Sequence, residues 1–299
     1  MTSILLMQGF AGMSLFSVLV LMALGLTIIF GLMGVINMAH GELMTIGSYT
    51  TYLVSLGFSR YLPSIFSSYF FVALILSFVV TFLVGWLLER FIIRYLYARP
   101  LDTLLATWGV SLLFQQVFRS IFGGQEVTVK TPAWLLGALQ VTQTVEIPRI
   151  GIVVMILSLI TTGALFYMLV HTRWGLKVRA VTQIREMSGA VGINTRKVDS
   201  LTFAIGSGLA GIAGCAFTFL GSTGPMAGQL YIVDTFMVVV FGGVQSLVGT
   251  IVSSFFIAEA QSTLEFLISG SMAKVITLSA VVITLYFKPE GLFSSKLRK

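Results

Sequence analysis

The chain has 299 residues, 57% of them hydrophobic and only 10% charged, with a mean hydropathy of +0.98. So little polar surface cannot clothe a soluble globule of this length, and the expected architecture is an all-α polytopic integral membrane bundle, a single domain over residues 1–299. The net charge of +7 would suit nucleic acid, but the basic residues are gathered into loops between apolar stretches, which argues against it. A lone Cys215 cannot build a disulfide or a thiolate metal cluster.

Residues 1–30 form the first apolar stretch, with no basic region ahead of it. It runs on into Gly31 and Gly34, so a first span is expected here and no cleaved signal. The first ionisable groups arrive in Ile36-Asn37-Met38-Ala39-His40-Gly41-Glu42. An amide, an imidazole and a carboxylate are costly if left unpaired in hydrocarbon, so such a segment marks a polar path or a contact between helices. Residues 43–59, 61–88, 150–172, 200–233 and 235–258 carry no Asp, Glu, Lys or Arg. A helix of about 20 apolar residues crosses a bilayer, so several crossings follow.

Most basic residues fall in three clusters. Arg90, Arg94 and Arg99 form one, Arg173, Lys177, Arg179, Arg185, Arg196 and Lys197 a second, and Lys288, Lys296, Arg298 and Lys299 the C-terminal third. Arg60, Arg119, Lys130, Arg149 and Lys274 stand singly. The positive-inside rule puts the clusters and the C-terminus in the cytoplasm, and residues 57–65, 123–149 and 222–230 outside.

An odd number of crossings must then separate residue 230 from the tail. One helix over residues 231–267 would run roughly 55 Å against a hydrocarbon core of about 30 Å, so it must break. Gly242-Gly243-Val244-Gln245-Ser246-Leu247-Val248-Gly249-Thr250 is the place. The Gly31 to Glu42 segment breaks the first half of the chain in the same way. Interrupted elements in both halves point to a transporter with a weak internal repeat, in all about eight or nine membrane segments, two of them discontinuous.

In the loop over 172–199, Val178, Val181, Ile184, Met187 and Val191 recur every three or four positions among polar residues. The spacing predicts one short amphipathic helix, ended by Gly192 in a left-handed conformation, with Asn194 or Thr195 starting the next. Such a helix rests on the bundle, lies in the lipid interface, or docks as a coupling helix into a groove on a cytoplasmic partner.

The chain resembles the membrane permease subunits of the branched-chain amino-acid importers driven by ATP hydrolysis, and more closely the urea-type branch of that family. The early signature is Ile36 to Glu42. The loop signature is Trp174-Gly175, Arg179-Ala180 and Gly192-Ile193, and the end signature is Lys288-Pro289-Glu290-Gly291-Leu292-Phe293. The urea branch is carried by Arg99-Pro100-Leu101-Asp102-Thr103-Leu104-Leu105-Ala106-Thr107-Trp108-Gly109-Val110-Ser111, by Gly206 to Gly214, and by Tyr231-Ile232-Val233-Asp234. Gln245 departs from the small residue the family has after the double glycine.

The resemblance implies an inner-membrane subunit that forms the path for urea, is not itself an enzyme, and has no cofactor of its own. Its implied partners are a second, related permease subunit, two cytoplasmic ATPase subunits and a periplasmic binding protein. The chain has no Gly-x-x-x-x-Gly-Lys-Ser/Thr loop to cradle ATP, so ATP would be used by the partner subunits. The alternatives are a branched-chain amino-acid permease and a stand-alone channel for small solutes.

The path residues expected on this reading are Asn37, His40, Glu42, Gln115, Gln116, Asp234, Gln245 and Glu259. His40 is a hydrogen-bonded imidazole in a structural or path role, since no ligand pair stands near it for a metal. Glu42 and Asp234 either cap helices or face the path. Glu259, between Ala258 and Ala260, serves the path or a subunit interface, or belongs to an intramembrane pair. Trp174, Gly175, Arg179, Ala180, Arg185, Gly192 and Ile193 would couple to the ATPase, and Gly206, Ala210 and Gly214, four apart, would let helices approach closely.

Overall fold

The structure, a computed structural model, describes residues 2–97, 99–142 and 145–293. It is built from α1 (Thr2–Leu26), α2 (His40–Tyr61), α3 (Tyr69–Phe91), α4 (Pro100–Phe122), α5 (Arg149–His171), α6 (Arg173–Gln183), α7 (Arg185–Ala190), α8 (Thr195–Leu220), α9 (Ala227–Gly242), α10 (Leu247–Leu267) and α11 (Gly270–Phe287). Among the described residues six helical stretches are long and apolar enough to cross a membrane: Leu6–Leu32, Pro63–Tyr95, Arg149–His171, Thr195–Leu220, Leu247–Leu267 and Gly270–Phe287. α2 and α4, with 22 and 23 residues, match these in length but carry polar stripes, and α9 is a shorter apolar helix of 16 residues. One small ribbon, β1 (Ala138–Thr142) antiparallel to β2 (Val145–Pro148), is an addition to the all-helical expectation.

α1 is apolar on every side and is correspondingly buried along most of its length. It packs on α5, α8, α9 and α10, while α8 backs α1, α2 and α3. Close packing among these helices depends on small and hydroxylated residues, because hydrocarbon supplies no hydrophobic drive to press one apolar helix on another. α3 shows this plainly. Its buried residues Ala73, Ser77, Thr81, Gly85 and Glu89 fall four apart on the face toward α8 and α2. There Ser77 donates to the Gly47 carbonyl at 2.9 Å.

Both expected interruptions are present, and they meet. α1 runs on through a π-helical turn, Thr27–Leu32, after which residues 33–39 double back so that His40 at the start of α2 lies against Met22 and Gly25 of α1. Residues 243–246 separate α9 from α10. Gly34 at φ +70° and Gly243 at φ +97° supply the left-handed turns that each break needs. Gly31 lies so close to the Val244 carbonyl that a methyl group there would overlap it.

The loops sort to two ends. Residues 62–68, 123–142, 145–148 and 221–226 gather at one, held by the Trp134 indole N–H on the Ser67 carbonyl (2.8 Å) and by a bridge between Val127 and Thr223. At the other end lie residues 92–97, α6, α7 and the stretch 288–293, whose Leu292 and Phe293 amides bond to the Phe241 and Gly242 carbonyls. This second end carries Arg90, Arg94, Arg173, Lys177, Arg179, Arg185 and Lys288. Lys296, Arg298 and Lys299 of the tail lie outside the described residues.

The loop over 172–199 differs from the single amphipathic helix expected. Ile184 adopts an extended conformation and splits it into α6 and α7. The apolar series divides with it: Val178 and Val181 are 2% and 8% exposed, whereas Ile184, Met187 and Val191 are 60%, 61% and 71% exposed. A regular helix would have kept all five on one stripe, and the break turns the second half of that stripe outward. Gly192, at φ +86°, does end α7, and the Asn194 side chain caps α8 on the Lys197 amide at 3.1 Å.

Candidate functional site

The polar segment at the first break sits against α4. The Thr107 hydroxyl accepts the Met38 amide (3.1 Å) and donates to the Ile36 carbonyl (3.4 Å), which pins the irregular backbone of the break. The Asn37 side-chain oxygen takes the Ala39 amide at 3.1 Å, and the His40 ring donates through Nε2 to the Met22 carbonyl at 3.1 Å. One turn on, a single Glu42 oxygen accepts from both Ser111 Oγ (3.1 Å) and Gln115 Nε2 (2.8 Å).

The outcome is a buried polar cluster in which α2 and α4 meet through side chains. Asn37 Nδ2, His40 Nδ1 and Glu42 Oε2 are buried there with no hydrogen-bond partner among the described residues. α2 also meets α9 very closely, Gly41 against Gly228, and the Gly228 amide donates to Thr45 at 2.9 Å.

The other path candidates lie elsewhere. Gln116 is exposed, turned about 100° around α4 from buried Gln115, and Gln245 is exposed at the second break. Asp234 caps nothing. α9 begins at Ala227, so Asp234 stands two turns inside the helix, where it pairs with Lys274 of α11 (3.0 Å) and accepts from Gln261 (3.3 Å). Of its two expected roles, capping needs a helix that starts near Tyr231, and α9 starts a turn earlier. Glu42, likewise, makes no capping bond, although it sits in the first turn of α2. Glu259 faces Gly12 of α1 and is only partly buried, remote in contact from the Glu42 cluster.

Gly206 packs on Gly25 of α1 and Gly214 on Met44 of α2, with Ala210 fully buried between them. Gly208 and Gly211 do the same toward α3, against Phe78 and Thr81.

At the basic end, α6 is fastened to α1. The Thr182 hydroxyl donates to the Leu32 carbonyl at 2.9 Å, an acceptor at the end of the π-helical turn. Trp174 and Ile193 border the small core of Val178, Val181 and Val198, and Gly175 sits against the Leu169 backbone. Arg179 points outward and reaches the Val170 carbonyl at 3.4 Å; Ala180 is half-buried. α7 is tied down by an ion pair from Arg185 to Asp199 of α8, with the guanidinium stacked over Tyr97 at 5.2 Å. The Tyr97 hydroxyl donates to fully buried Glu89 at 3.1 Å, and Arg94 bonds the same carboxylate at 3.3 Å. Burial foremost, with Asp199 and Glu89 adding to it, holds the Tyr97 phenol above its ordinary pKa and keeps it a neutral donor.

Sequence reasoning missed Ser111, Lys274, Thr182 and the Glu89, Tyr97, Asp199 group as partners. For Ser111 a signal existed: Thr103, Thr107, Ser111 and Gln115 stand four apart, and they are the buried stripe of α4. Lys274 and Thr182 are paired across the fold with residues at long sequence separation, and nothing local marks them.

The family described as "Branched-chain amino acid transport system / permease component" matches residues 9–285. The chain is 27% identical to the high-affinity branched-chain amino acid transport system permease protein LivH of Salmonella typhimurium over 294 residues, 96% of this chain and 94% of that one. It is 26% identical to BraD, a permease protein of the same description, of Pseudomonas aeruginosa over 292 residues, covering 96% and 95%. A probable LivH of Methanocaldococcus jannaschii is 25% identical over 303 residues, covering 92% and 88%. No solved structure matches the chain.

Proposed function

The chain belongs to the family of branched-chain amino-acid transport system permease components, and on that premise we propose that it is the multi-pass membrane subunit forming the translocation path of an ATP-driven importer of branched-chain amino acids. The observation that carries this reading is the family match over nearly the whole membrane domain, residues 9–285. Urea, favoured by the motifs alone, gives way to the amino-acid alternative, because the similar proteins are branched-chain amino-acid permeases.

The path in this reading passes the first break. A buried Glu42, held at one oxygen by Ser111 and Gln115, and unsatisfied atoms on Asn37 and His40 make a segment that gains partners when it moves or when water and solute enter. ATP hydrolysis belongs to cytoplasmic partner subunits, which α7 meets with exposed Met187 and with Ile184 and Val191 that flank it. Motion there reaches the path through α6, whose Thr182 holds the end of α1 just before the break. The basic end is the cytoplasmic one by the positive-inside rule, and a second permease subunit and a periplasmic binding protein complete the assembly.

The test is uptake of radiolabelled leucine and urea by cells carrying or lacking the gene with its partner subunits, with and without ATP depletion. Energy-dependent leucine uptake lost in the deletion supports the proposal. Loss of urea uptake with leucine untouched restores the urea reading, and uptake that survives ATP depletion points to a channel.

A further inference from the structure

At the end of the bundle opposite the basic loops a cavity of about 680 Å³ opens between the end of α4, the 221–226 turn, the start of α9 and the start of α11. Its volume is in the ordinary range for a small-molecule site. Three charged side chains line it, and they divide into two kinds.

Lys274, which lines the cavity, is neutralised by Asp234 at 3.0 Å and lies over the Tyr231 ring at 5.6 Å. Arg119 and Glu126 are uncommitted. The Arg119 guanidinium touches the Met226 sulfur at 3.0 Å, a weak acceptor, and forms no ion pair among the described residues. Glu126 accepts the Ser222 hydroxyl at one oxygen, and its other oxygen makes no hydrogen bond among the described residues. Both line the same cavity, yet they do not pair with each other. Much of the remaining wall is apolar and aromatic: Phe217 and Tyr231, edge to face at 5.0 Å, with Leu230 and Met226.

One free cation, one free anion and an apolar wall in a single cavity match one chemical class. We infer that this cavity is a substrate site for a zwitterionic α-amino acid with an apolar side chain, its carboxylate on Arg119, its ammonium on Glu126 and its side chain against Phe217 and Leu230. The inference rests on the amino-acid reading above and adds a place where the permease itself recognises both poles of the substrate. A planar guanidinium suits a carboxylate in two-point contact. Urea carries no charge for either group, so the site discriminates against it, and an analogue with only one pole leaves the opposite charge unmatched.

The experiment measures equilibrium binding of tritiated leucine to the complete complex of this chain with its partner membrane and ATPase subunits in lipid nanodiscs, without the binding protein. Urea, 3-methylbutylamine (leucine without its carboxylate) and 4-methylpentanoate (leucine without its amine) serve as competitors. The expected result is saturable leucine binding that urea and both one-pole analogues compete for poorly. Arg119→Gln and Glu126→Gln should each weaken it about tenfold or more, the usual weight of a charged hydrogen bond, with partial recovery in Arg119→Lys. Complex yield and thermal melting separate loss of the site from loss of the fold.

Leucine binding unchanged in both variants overturns the inference, as does the absence of saturable binding in a wild-type complex that transports leucine. Variants that weaken docking of the binding protein while leaving leucine binding intact overturn it too, and reassign the two charges to that protein interface. Wild-type cells that take up no leucine would refute the amino-acid reading itself, an outcome distinct from these.

Discussion

Glu42 is almost wholly buried, at 1% exposure, and both of its donors come from α4. Removing the stronger one leaves a buried carboxylate with less to hold it, so Gln115→Leu should destabilise the complex by about 1–3 kcal/mol, read as a lower melting temperature. Gln116→Leu, on the exposed face, should leave the melting temperature unchanged. Equal effects from the two would mean that the hydrogen bond to Glu42 does not decide the cost. At this scale the sequence announced the ionisable residue and not its neighbours. Asn37, His40 and Glu42 stood out as polar residues in an apolar run, whereas the Lys274 partner of Asp234 is 40 positions away and was an isolated charge until the fold joined them.

Among the elements, α6 and α7 carry the clearest division of labour. α6 buries Val178 and Val181 and holds Leu32 through Thr182, whereas α7 exposes Met187, with Ile184 exposed just ahead of it. Met187→Asp should therefore reduce co-purification of the ATPase subunits while leaving the membrane subunits assembled, as measured by pull-down from solubilised membranes. Thr182→Val should act differently, since its side chain faces the bundle: ATPase subunits should stay bound and hydrolyse ATP while leucine uptake per ATP falls. Normal coupling in Thr182→Val would remove that hydrogen bond from the route between loop and break. The apolar spacing in the loop was legible as helix, but a periodicity says only which residues share a stripe. Where the stripe is cut, and that the cut turns Ile184 outward, depends on α6 being anchored to α1 and α8.

The whole molecule arranges its loops by charge, and this can be measured directly. Cys215 is buried, so single cysteines introduced elsewhere report accessibility almost unaided. A cysteine at Thr128 should react with a membrane-impermeant maleimide in intact cells, while one at Lys177 should react only after the cells are opened. The reverse pattern would invert the orientation read from the basic clusters. Within the bundle the two breaks are one feature: Gly31→Leu, forced against the Val244 carbonyl, should drive them apart. Overpacking of this kind costs about 1–3 kcal/mol, and the readout is a lower melting temperature together with lost uptake.

The amino-acid sequence by itself determined the class of molecule, the basic loops and the existence of both breaks, because hydrocarbon imposes length and charge rules that act on local stretches of chain. Family membership was legible too, in motifs spread over the whole chain. Only the tertiary structure decided that the breaks adjoin, that Ser111 and Gln115 serve Glu42, and that Arg119 and Glu126 share a cavity without pairing. The first two are relations between segments distant in sequence, and the third depends on α9 and α11 closing a cavity over the end of α4. They follow from which small-residue faces pack together, and that is settled by the bundle acting as a whole.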